Sequence, residues 1–285
     1  MDIEGVYINL DRSPQRRAEM DRQIGEAGLP YVIDRLAAID GSTRSDRPAG
    51  LNPGQHGCWL SHLLAIERSL QRSAHLHVVE DDALLGAALP ILPDVVNSLD
   101  SGSGGEWEIL YLDATLIEPM DMCHVFGWAK TARRDGTVRV RALPREFTVY
   151  GTHSYVVNSA RKAAVLDFLK KHLASGRPID NVLAHGIQTG ALRAFMTTPY
   201  MTSAADHSLE RTVGESGDQR FLAWQVFRRL CFYDLDGPEL DALFEKSAKL
   251  MEAVSEEDRL LGELCAYRMA RWPLERFPPG IEPGR

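Results

Sequence analysis

Leu76-His77-Val78-Val79-Glu80-Asp81-Asp82 runs a short strand-like segment directly into three consecutive carboxylates. A short, mostly apolar run without alternation reads as a buried strand. Ligands of open α/β sheets sit at the carboxyl ends of such strands. Three adjacent carboxylates at a strand end repel one another, and a buried charge is costly unless compensated. A divalent cation is the simplest compensation. Hard oxygen donors suit Mg²⁺ or Mn²⁺, with phosphate oxygens completing the shell. In an extended chain residues i and i+2 share a side, so Glu80 and Asp82 are expected to converge on the metal while Asp81 points away. The plainer reading is an exposed acidic turn, one carboxylate capping the next helix.

On either side of this segment, strand-like and helix-like stretches alternate. Val6 to Leu10 is a short apolar strand, and Ser13-Pro14 then supplies an N-cap and a proline at the first helical position. Asn52-Pro53 repeats that start signal for a helix reaching about Ser73. Further strands are expected at Ile109 to Leu112, Val138 to Leu143, Phe147 to Tyr150, Tyr155 to Val157 and Ala194 to Thr198, with a helix from Asn158 to Leu173. This order predicts an α/β fold, a mostly parallel sheet flanked by helices. After Gly217 the spacing turns helical, as in Leu240, Leu243, Phe244, Leu250 and Met251, and the last stretch carries four prolines. We therefore expect a catalytic domain over 1–212, a helical C-terminal extension over 213–272 and an extended tail over 273–285.

The chain has 285 residues, with 32 Lys+Arg against 40 Asp+Glu, a formal net charge of −8. A hydrophobic share of 44% with 25% charged residues excludes a disordered chain, a collagen-like fibre and a coiled coil. The acidic balance argues against a nucleic-acid partner, whose phosphates need a basic surface. No apolar run approaches the roughly 20 residues that cross a bilayer. Met1-Asp2-Ile3-Glu4-Gly5 carries two acids and does not read as a signal peptide. Cys58, Cys123, Cys231 and Cys265 are far apart and are expected to be reduced, in the cytoplasm. Arg271, Trp272, Arg276 and Phe277 suggest at most a weak contact at the inner membrane face.

Two more segments are unusual. Gly54, Gly57, Cys58, Ser61 and Ala65 fall on one stripe of the Asn52 helix. Glycine costs helix stability, roughly 1 kcal/mol relative to alanine, so the stripe implies close approach by backbone or by a flat ligand. His62, four residues after Cys58, is either a satisfied structural histidine or part of that site. The second segment, Asn9-Leu10-Asp11-Arg12-Ser13-Pro14-Gln15-Arg16-Arg17, crowds three arginines around a helix N-terminus, where the helix dipole disfavours cations. A bound phosphate would neutralise both, and arginine grips phosphate bidentately. Solvated surface arginine is the plainer reading.

These segments, in this order, resemble glycosyltransferase family 25, which includes bacterial lipooligosaccharide galactosyltransferases and collagen galactosyltransferase domains. The resemblance rests on Val6 to Ser13 with Arg16-Arg17, Ala38-Ile39-Asp40-Gly41, Leu51 to His62 and Val78 to Asp82. It continues through Gly151 to Val157 and Pro178-Ile179-Asp180, covering about residues 3–185, and ends before about residue 210. The pairing of Gly57-Cys58-x-x-Ser61-His62 with Glu80-Asp81-Asp82 is its specific part.

The resemblance implies a GT-A fold, a nucleotide-sugar donor such as a UDP-sugar, a divalent metal and inversion at the anomeric carbon. It places Asn9, Leu10, Arg12, Arg16, Ser61, His62, Glu80 and Asp81 on the donor side. Asp180 falls where the family has an aspartate facing donor sugar and acceptor. The donor sugar is usually galactose, and the acceptor a hydroxyl of a glycan or lipid-linked saccharide. The chain departs from the family in its helical extension and in the acidic strand end Tyr111-Leu112-Asp113.

The chemistry agrees with that assignment. Breaking a sugar–phosphate bond builds charge on a diphosphate, which a cation held by Glu80 and Asp82 would offset. Inversion also needs a carboxylate to take the acceptor's proton, for which Asp180 and Asp113 are the candidates. His207 is a candidate third metal ligand. A metal-dependent phosphohydrolase or nucleotidyltransferase, or a non-catalytic carbohydrate-binding protein, are the rival readings.

Overall fold

Residues 2–205 and 219–234 are described by the computed structural model. In chain order the elements are β1 (Ile3–Asn9), α1 (Pro14–Glu26), β2 (Ile33–Ala37), α2 (Pro53–Ser69), β3 (His75–Glu80), β4 (Ala83–Leu85) and α3 (Leu92–Ser103). They continue with β5 (Ile109–Tyr111), β6 (Thr115–Leu116), α4 (Pro119–Arg134), β7 (Arg139–Ala142), β8 (Val149–Tyr150) and β9 (Ser154–Val157). The last are α5 (Lys162–His172), α6 (Ile179–Thr189), β10 (Ala194–Thr198), β11 (Thr202–Ala204) and α7 (Gln219–Cys231).

The central sheet has seven strands in the order β2-β1-β3-β9-β5-β10-β7. β1 pairs parallel with β2 and β3, and β5 parallel with β10. β9 is antiparallel to both β3 and β5, and β7 is antiparallel to β10. All but β9 and β7 therefore share one direction, and the fold is a mixed α/β sheet, mostly parallel, flanked by helices. Alternation along the strands feeds cores on both faces. Ile109 and Tyr111 pack with Trp59 and Ile66 of α2 and with residues of α4, α5 and α6, whereas Leu110 and Val156 pack with Val96 and Leu99 of α3.

Local chemistry accounts for the element starts. Asn52 caps α2 through a reciprocal box: its side chain accepts from the Gln55 amide at 2.8 Å, and Gln55 Oε1 accepts from the Asn52 amide at 2.9 Å. At α1 the Ser13 hydroxyl makes no cap hydrogen bond, so Pro14 with its preset φ carries the start. Strand β2, helices α3, α4 and α6, and the two small ribbons, β4 with β11 and β6 with β8, were not part of the expected order. Instead of joining the main sheet, the Phe147 to Tyr150 stretch shortens to β8 in one of these ribbons.

Of the expected C-terminal extension, only α7 is described; it lies against α4, β6 and β11. The remainder of that extension and the tail over 273–285 lie outside the described residues. Among the described residues no helix is long and apolar enough to cross a membrane.

Candidate active site

A cleft of about 800 Å³ opens at the carboxyl ends of β1 and β3. Its walls come from the β1–α1 turn, the chain around Ile39, the first half of α2, the end of β3, the Gly151 loop and the first turn of α6. Leu10, Arg12, Arg16, Ser61, His62, Glu80, Asp81, Asp82 and Asp180 all line it.

The three carboxylates have different partners. Glu80 ends β3; its carboxylate accepts from the Thr152 hydroxyl and lies 3.4 Å from His62 Nε2. Burial opposes its ionisation, but the His62 contact, the His153 charge and the Thr152 hydroxyl outweigh it and bring its pKa down to about 2. Asp81 accepts from Asn9 Nδ2 at 2.6 Å and from Arg16 at 3.2 Å. Burial raises its pKa, opposed by Asn9 and Arg16 but reinforced by the neighbouring Asp82 charge. Asp82 stands 3.9 Å from Arg16 and 3.9 Å from His153 Nε2. One of its oxygens, Oδ1, is buried with no hydrogen-bond partner.

Asp81 does not point away. Strand alternation stops at Glu80 because residues 81 and 82 form the turn into β4, and this turn brings both aspartates to Arg16.

Asn9, buried at the end of β1, links this cluster to its surroundings. Its amide also donates to the Ser13 carbonyl at 3.1 Å, and its Oδ1 accepts from Arg35 at 3.0 Å. The sequence alone offered no signal for Arg35, which lies on β2. Thr152 and His153 were visible only as part of a motif with no role attached. Arg12 pairs with Asp40 at the cleft rim, while Arg17 faces Asp21 on the exposed side of α1.

At Gly57 and Ser61 the small-residue stripe meets backbone. A Cβ on Gly57 would stand 2.5 Å from the Ile39 carbonyl and 2.7 Å from the Gly41 amide. Ser61, fully buried, donates to the Gly57 carbonyl at 2.7 Å and accepts from the Ile39 amide at 2.8 Å. His62 is also fully buried, with Nδ1 2.9 Å from the Tyr155 hydroxyl.

Asp180 is half-buried in the first turn of α6 and accepts from the Asn181 amide at 2.9 Å. Burial pushes its pKa up; the Asn181 amide opposes this and the Glu80 charge adds to it. Asp113 is placed elsewhere. It forms a buried ion pair with Arg228 of α7, both side chains 1% exposed, and it is not on the cleft wall. An aspartate so enclosed has no approach to an acceptor hydroxyl in the cleft. His207 lies outside the described residues.

The family model for glycosyltransferase family 25, described as LPS biosynthesis protein, matches residues 4–183. No curated protein matches the chain. A solved structure similar to it is the mannose-1-phosphate geranyltransferase from Thermus thermophilus, at 13% identity and a TM-score of 0.33, covering 69% of this chain and 73% of that one. A likeness so low carries no argument about function. The family match, in contrast, includes every charged side chain of the cleft, and by it the chain belongs to glycosyltransferase family 25.

Proposed function

We propose that this glycosyltransferase moves a hexose, galactose by family habit, from a nucleoside diphosphate donor such as a UDP-sugar to a hydroxyl of a glycan or lipid-linked acceptor. The transfer inverts the anomeric carbon on a GT-A-like scaffold. The family's link to lipopolysaccharide makes a growing saccharide at the cytoplasmic face of a membrane the preferred acceptor. One observation carries this reading: a single cleft joins Arg12, Arg16 and the Glu80–Asp82 carboxylates with Asp180.

A divalent metal fits these residues. The buried Oδ1 of Asp82 has no hydrogen-bond partner and shares the cleft with Glu80, and carboxylate oxygens of this kind suit Mn²⁺ or Mg²⁺. Held there, such a cation would supply positive charge against the departing diphosphate. Arg16, fixed by Asp81, and Arg12 at the rim bind phosphate oxygens. The Thr152 hydroxyl holds Glu80 in orientation, with His62 lying against its carboxylate. Asp180 takes the acceptor hydroxyl's proton as that oxygen bonds the anomeric carbon, and the bond to phosphate breaks with its electron pair passing to the leaving group.

The test is nucleoside diphosphate release from a panel of nucleotide sugars, with and without saccharide acceptors and with and without Mn²⁺. We expect acceptor-dependent release that Mn²⁺ stimulates in the wild type and no longer stimulates in Asp82→Asn. Pyrophosphate release from a nucleoside triphosphate and a sugar phosphate, without sugar transfer, would replace this reading with nucleotidyl transfer.

A further inference from the structure

Cys58 and His62 stand one helical turn apart on α2, facing the end of β3. Cys58, His62 and Glu80 each turn one donor atom to the same place, and those three atoms lie within 4.8 Å of one another. The His62 ring is fully buried, and its Nε2 makes no hydrogen bond even though Glu80 Oε1 is 3.4 Å away. Its other nitrogen already has an outer partner, the Tyr155 hydroxyl at 2.9 Å, of the kind that orients metal-binding imidazoles. The Thr152 hydroxyl holds Glu80 in the same way. Cys58 and His62 both line the cleft, which provides an entry path. Sugar transfer as described above has no use for the thiol.

We propose that Cys58, His62 and Glu80 form a binding site for zinc or a similarly borderline-soft divalent cation. Thiolate and imidazole donors select such a metal, whereas oxygen-only donor sets suit Mg²⁺ or Mn²⁺. Zinc bonds of about 2.0–2.3 Å place tetrahedral ligands roughly 3–4 Å apart, so the three atoms need close by only about 1 Å. Three protein ligands leave the fourth position to water. The ion would fasten α2 to the end of β3, sharing Glu80 with the nucleotide side of the cleft. None of this depends on glycosyl transfer, and the test uses no transfer assay.

Cobalt is the optical probe. Titration of the full chain with Co²⁺ is expected to give a thiolate-to-cobalt charge-transfer band that saturates at one equivalent and that Zn²⁺ displaces. Cys58→Ser should abolish the band, and His62→Gln should weaken affinity at least tenfold. Should the variants fold poorly, X-ray absorption of the wild type with one equivalent of zinc reads the ligands directly: one sulfur at about 2.3 Å with nitrogen and oxygen neighbours is expected. A wild type without a thiolate band, a band that survives in folded Cys58→Ser, or a zinc shell without sulfur would each overturn the site.

Discussion

Asp180 is raised toward neutrality while Glu80, in the same cleft, is held ionised at about pKa 2. Two carboxylates pushed apart in this way suit different tasks, a base for the first and a permanent anion for the second. Asp180→Asn should lower turnover by about 10²–10⁴-fold, the usual worth of a general base. Nucleotide-sugar affinity by calorimetry should hold, since the proposed phosphate contacts belong to other residues. A general base works deprotonated, so with Asp180 in that role the rate should fall as pH drops through a midpoint above the ordinary aspartate value of 3.8. Undiminished transfer by Asp180→Asn would remove it from the mechanism.

For the elements, close contact between α2 and the chain at Ile39 to Gly41 makes one helix intolerant of small changes. In Gly57→Ala the new methyl meets backbone on two sides, which cannot rotate away. We expect a loss of about 1–3 kcal/mol, as in other overpacked sites. Ser61→Ala leaves the Ile39 amide unpaired and should cost about 1–3 kcal/mol. Urea unfolding measures both. Unchanged stability with lost nucleotide affinity would return the stripe to ligand contact.

β3 carries a different liability in His77, which is buried between Tyr31 and Ser154. Burial lowers its pKa from 6.5 to about 3. The unfolded chain therefore binds a proton that the folded chain refuses, and stability falls as pH drops from about 6.5 toward 3, by up to ~1.4 kcal/mol per pH unit. His77→Gln should flatten that slope in unfolding experiments across this range. A slope unaltered by the substitution would assign it to other groups.

At the scale of the molecule, α7 is tied to the sheet domain by the buried Asp113–Arg228 pair and by Arg133, which donates to the Leu230 carbonyl at 2.6 Å. Trp224 of the same helix reaches the cleft wall. Arg228→Met strands the Asp113 charge in the interior and should cost about 3–5 kcal/mol, since breaking a buried pair leaves one ion uncompensated. The double variant Asp113→Leu with Arg228→Met removes both charges and should recover most of that loss. Denaturant midpoints of the two variants test this; a double variant as unstable as the single one would mean that packing, not the stranded charge, sets the cost.

Much of this protein is legible from neighbours within a few residues. The Asn52–Gln55 capping box, the prolines at helix starts, the alternation of strands and helices and the three carboxylates after Val79 all depend on local spacing, and the structure carries each of them. The family was equally legible, because its motifs are contiguous. Folding decided the rest. The insertion of β9 antiparallel between β3 and β5 is set by sheet order. The turn after Glu80 put Asp81 against Asn9, which lies 72 residues earlier. Ser61 found the Ile39 amide, and Asp113 found Arg228, 115 residues later. Caps and periodicity act over one helical turn, whereas the partner of a buried charge or amide is whichever group the packed sheet and helices bring within 3 Å or so, and no local spacing encodes that choice.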